Sequence, residues 1–154
     1  MADPKFQTYA PFADFAYQTN NQATGPNVDG WSPVKVEQFR AISPYFSAQL
    51  FTDGQGHYRA GIRGSSEPAD FVGIPYLMTG SGADFQLAGG AWTYQQTDAI
   101  RFIGEAMLQV AREKPGMSFD DIRASFDCTG HSLGGSLCET SAKFYGLSGM
   151  NIDG

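Results

Sequence analysis

Hydrophobic positions along this chain change period several times, and each change predicts an element. Tyr9, Phe12, Ala13 and Ala16 recur at helical spacing with Pro11 in the first turn, which predicts a helix over Tyr9 to Gln18. Thr19 to Ser32 is rich in Asn, Gly and Pro and reads as a loop, and Val34 to Ile42 is ambiguous with some strand character. Tyr45 to Thr52 and His57 to Arg63 flank Asp53-Gly54-Gln55-Gly56, which predicts a β-hairpin. Glu67 to Gly90 holds Pro68, Pro75 and many glycines, so it reads as loop with short pieces of structure.

The most regular period lies between Trp92 and Lys114. Trp92, Gln96, Ala99, Ile103, Ala106, Met107 and Val110 share one helical face, and Pro115-Gly116 ends the helix. Asp120 to Arg123 predicts a helical turn, Ala124 to Thr129 a short strand and Leu133 to Phe144 an amphipathic helix. Gly149 to Gly154 looks like the entry to a further strand. Helical crossovers join parallel strands, so the order predicts an α/β layered fold.

Composition narrows the function. The 154 residues are 42% hydrophobic, enough for one domain with a real core. The formal net charge of -6 opposes binding to a phosphate backbone, so no nucleic-acid partner is expected. No apolar run is long enough for a transmembrane segment, and the first residues lack the pattern of a signal peptide, leaving a cytoplasmic location by default. Cys128 and Cys138 form neither a disulfide framework nor a metal-ligand spacing, and both are expected as small buried hydrophobes. No metal and no cofactor is expected.

The chemistry-bearing stretch is Gly130-His131-Ser132-Leu133-Gly134, a G-x-S-x-G sequence between an apolar strand and an amphipathic helix. A serine at such a bend is lifted above the sheet edge, and the bend requires small neighbours two positions to either side, here Gly130 and Gly134. The N–H of Leu133 and the helix dipole then point at a developing oxyanion. The bland alternative is a glycine-rich turn with an ordinary serine N-cap.

Thr129 to Gly135 resembles the nucleophile elbow of the class 3 lipases, the fungal-lipase-like branch of the α/β-hydrolases. Tyr58 to Ser65 resembles that family's strand ending in Phe-Arg-Gly-Thr, with Ile62 in place of Phe and Ser65 in place of Thr. Tyr9 to Tyr17 is similar to its N-terminal helix, Asp70-Phe71 to its Asp-Trp pair, and Trp92 to Lys114 to the long helix before the elbow strand. The resemblance implies an α/β-hydrolase-like sheet with flanking helices over residues 1–154. It also implies hydrolysis of acyl-ester or lipid substrates through an acyl-enzyme. Ser132 would be the nucleophile, the backbone N–H groups of Leu133 and Ser65 the oxyanion hole, and Gly130, His131 and Gly134 the rest of the elbow.

A triad also needs a base, which in this fold follows the serine after an acid. The two histidines, His57 and His131, both precede Ser132. His131 should point away from its neighbour's hydroxyl. His57 begins a strand about 25 Å long that ends near Ser65, whereas a base must lie within roughly 3 Å of the serine. Glu139 should face away from the elbow, and Asp153 without a histidine makes a poor triad member. Three explanations compete, in order of preference: a partial domain cut after the nucleophile-elbow helix, a catalytically silent hydrolase-like binding module, and completion by another chain. A partial domain implies self-association through an exposed sheet edge.

Overall fold

A computed structural model describes residues 9, 11–12, 20–63, 90–131 and 133–152. Among the described residues the strands and helices follow one another as β1 (Ser32–Val34), β2 (Ala48–Thr52), β3 (Tyr58–Ile62), α1 (Gly90–Glu113), α2 (Phe119–Ala124), β4 (Phe126–His131), α3 (Leu133–Tyr145) and β5 (Ser148–Ile152). They build one mixed sheet in the order β1-β2-β3-β4-β5, antiparallel from β1 to β3 and parallel from β3 to β5. The α/β layering expected from the alternation of periods is present, and both parallel pairs are joined through helices, as the crossover argument requires.

The hairpin closes where the turn chemistry demands it. Gly54 and Gly56 take positive φ angles of 75° and 88°, and Asp53 accepts hydrogen bonds from the amides of Gln55 and His57. Register then follows from alternation. Tyr58, Ala60 and Ile62 of β3 and Phe126 and Cys128 of β4 join the core that α1 and α3 cover. Tyr58 stacks on Phe126, its direct partner in the parallel ladder.

Helix α1 supplies Ala99, Phe102, Ile103, Ala106, Met107 and Val110 to this core. Each large aliphatic or aromatic side chain so buried contributes about 1.5–3 kcal/mol. Helix α3 crosses α1 where Gly104 makes room for Tyr145, whose hydroxyl donates to the Ile100 carbonyl at 2.8 Å. Ser118 caps α2 by accepting from the Asp121 amide, and Asp120 and Asp121 occupy its positive first turn.

The other sheet face is covered by Phe12, Val28, Phe51 and Trp31, with Phe12 edge-on to both Trp31 and Phe51. Tyr9, Pro11 and Phe12 are helical or helix-bounded as expected; the rest of the predicted N-terminal helix, the Asp70-Phe71 pair and the tail at Asp153 lie outside the described residues.

Three expectations change. The ambiguous stretch after Val34 is not strand. The Asn21 side chain accepts from the Val36 amide at 2.7 Å and donates to its carbonyl at 3.0 Å, so a side chain takes the place of a neighbouring strand. The strand expected from Ala124 begins two residues later, because Ala124 closes α2. The two cysteines are not separate hydrophobes: Cys128 and Cys138 are paired as a disulfide, with Cα atoms 5.7 Å apart. Helix α3 folds straight back over its own strand, which sets the second helical turn above the inward face of β4.

Candidate functional site

The bend between β4 and α3 is built by backbone contact. One residue, Ser132, separates the last strand residue from the first helical one, and it lies outside the described residues, as does Ser65. A Cβ placed on Gly130 would run into the carbonyl of Gly134 and sit 2.6 Å from the amide nitrogen of Gly135. The end of the strand therefore touches the first turn of the helix with no room for a side chain. Gly134 in turn lies against β3: a Cβ there would collide with the Ile62 carbonyl and approach the Arg63 carbonyl carbon to 2.7 Å.

Ile62 is the ladder partner of Gly130, so β3 and β4 end at the same edge of the sheet. Ser65 follows three residues after Ile62 in the chain. Leu133 opens α3, with its side chain buried in the core. Its N–H is among the first amides of the helix, which have no partner within the helix and carry its positive end. Such an edge can stabilise negative charge that develops beside position 132.

His57 is at the other end. It precedes Tyr58, which pairs with Phe126 at the start of β4, and it projects from the hairpin with 62% of its side chain exposed. Its Nδ1 lies 2.7 Å from Asp53 Oδ2. Burial opposes ionisation of Asp53, yet hydrogen bonds from the Gln55 amide and from the His57 ring and amide hold its carboxyl below the usual range. His131 ends β4 opposite Ile152 and is half-buried, and Glu139 points from α3 into solvent.

Two polar clusters escaped the reading of the sequence. On the sheet face away from α1 and α3, Arg59 donates from Nε and Nη2 to the two carboxylate oxygens of Asp127, at 2.8 and 3.0 Å. The guanidinium lies over the rings of Tyr9, Phe12 and Trp31, and the Tyr9 hydroxyl donates to Asp127. The signal was a single charge at matching positions in two apolar strands. The second cluster centres on Asp98 of α1, which is fully buried. It accepts from the amides of Ile42 and Ser43 and pairs with Arg101.

Open clefts lie on the surface formed by the described residues. One of about 440 Å³ lies between Pro33–Gln38 and the end of α1, and one of about 300 Å³ lies at the hairpin end beside His57 and Asp127. Neither is lined by Gly130, Leu133 or Gly134. Among the described residues no group of three His, Cys, Asp or Glu side chains could hold a metal ion, and no helix is long and apolar enough to cross a membrane. No protein-family model, curated protein or solved structure matches the chain.

Proposed function

We propose that this chain carries the nucleophile and oxyanion half of a serine ester hydrolase, an α/β-hydrolase of the class 3 lipase kind acting on acyl-ester or lipid substrates. The observation that supports this reading best is the contact of Gly130 with Gly134 and of Gly134 with Ile62 and Arg63. An ordinary N-capped helix needs no glycine at either place. A nucleophile elbow needs both, and needs them against the strand whose continuation supplies the second oxyanion donor.

In this reading the Ser132 hydroxyl oxygen attacks the acyl carbonyl and loses its proton to a base. The tetrahedral oxyanion accepts from the N–H groups of Leu133 and Ser65. Collapse expels the alcohol and leaves an acyl-serine, which water hydrolyses. His57 is not that base in this reading, since it stands at the opposite edge of the sheet from Ile62 and Gly130. That same placement favours a second reading, a catalytically silent module that keeps the fold and binds acyl groups.

Fluorophosphonate labelling in the presence of imidazole, a diffusible base, separates the two. The hydrolase reading expects an adduct on Ser132, faster with rising imidazole and absent from Ser132→Ala. An adduct elsewhere, or equal labelling of the variant, overturns it; no adduct at any imidazole concentration leaves the silent module.

A further inference from the structure

The Cys128–Cys138 pair encloses the whole bend. One sulfur hangs from β4 two residues before Gly130, and the other from α3 four residues after Gly134. Every residue from Gly130 to Gly134 therefore lies in a loop closed by a bond ten positions long. Both side chains are fully buried, between the strand and the helix rather than at the surface. Gly149 of β5 approaches from the far side, its position 3.6 Å from the Cys138 sulfur for a Cβ built there.

We propose that this pair is a redox latch that sets the rigidity of the bend. Oxidised, the latch ties the two elements whose contact defines the turn. Reduced, the core keeps two small buried thiols, and strand and helix are held by packing alone. The interconversion is thiol–disulfide exchange with a small-molecule disulfide of the glutathione type. One cysteine thiolate attacks the small disulfide and expels a thiolate, forming a mixed disulfide. The second cysteine thiolate attacks that bond, closes Cys128–Cys138 and expels the second thiolate. Two protein thiols are oxidised, one disulfide is reduced to two thiols, and the two protons released by the protein are taken up by the expelled thiolates. Burial makes both cysteines slow to react, so exchange proceeds through local opening of α3 from β4. The latch does not depend on the hydrolytic reading, because its effect is on the backbone.

The test uses the full chain in two buffers, one with oxidised and one with reduced glutathione. After denaturation without reductant, the oxidised chain should resist alkylation at both cysteines and weigh two hydrogens less than the reduced one. Amide hydrogen exchange in the peptide spanning Gly130 to Leu137 should be roughly tenfold faster in the reduced chain, and its Tm lower by about 5–10 °C. Cys138→Ala should exchange like the reduced chain in both buffers. The latch is overturned if both cysteines alkylate after the oxidising treatment, if bend exchange is equal in the two redox forms, or if Cys138→Ala still responds to glutathione.

Discussion

No methyl group fits between Gly134 and the carbonyl of Ile62: the first turn of α3 rests directly on the end of β3. Helix, elbow strand and neighbouring strand thus meet through backbone. Backbone cannot rotate out of the way as a side chain can.

Substituting alanine at Gly130 or Gly134 should therefore destabilise the chain by about 1–3 kcal/mol or more each, the range of overpacking in a filled core. Gly116, which has open space around its Cα and no left-handed backbone, is the control. Gly116→Ala should be neutral or stabilising by up to about 1 kcal/mol. Urea unfolding of the three variants checks the contrast. Equal midpoints for Gly134→Ala and Gly116→Ala would refute the close approach.

The Arg59–Asp127 pair predicts strong non-additivity. The Arg59 side chain is only 8% exposed, so Asp127→Asn leaves a buried guanidinium without its counter-charge and should cost about 3–5 kcal/mol. Arg59→Met should cost a similar amount by stranding the carboxylate, with lost stacking on Trp31 added. Combining the two should cost less than their sum. Tyr9→Phe removes one hydroxyl donor to a carboxylate and should cost about 1.5–3 kcal/mol. A double-mutant cycle in urea measures the coupling.

Asp98 anchors the chain before β2 to α1 through two amides that have no other described acceptor. Asp98→Ala leaves the Ile42 and Ser43 amides without it and should lower stability by at least about 2 kcal/mol. Hydrogen exchange should locate the loss, with protection at Ser43 falling first. Unchanged protection there would contradict the anchor.

Tyr9 and Tyr145 should titrate late. Burial, then the Asp127 charge and hydrogen bond, raises Tyr9 against the opposing pull of Arg59. Burial and then Glu105 raise Tyr145. A phenol raised in the folded state stabilises that state in its neutral form. This contribution is complete below the unfolded value of 10.0 and is lost as pH rises through the folded values. Tyrosinate absorbance should show a late phase that shrinks in both Tyr9→Phe and Tyr145→Phe.

Periodicity and turn chemistry were legible before any fold was known. The hairpin at Asp53–Gly56, the Ala99, Ile103, Ala106, Met107 and Val110 face of α1 and the strand-to-helix change around Ser132 depend on residues close in the chain, where spacing and backbone preference act directly. So did the remoteness of His57, which follows from the rise of one strand. The end of β1 was not legible, because it depends on Asn21 reaching Val36 from an unrelated loop. Nor was the start of β4, where α2 competes for Ala124.

The sequence by itself determined the alternation of elements and the small residues of the bend, since steric limits on a turn act within a few positions. Only the tertiary structure decided what meets what. Arg59 finds Asp127 because β3 and β4 align in register; Asp98 finds Ile42 because α1 lies beside that loop; Cys128 finds Cys138 because α3 returns over its own strand. Charge, hydrogen bond and sulfur contacts all need a distance of a few ångströms. Distance between residues far apart in a chain is set by packing, not by order along it.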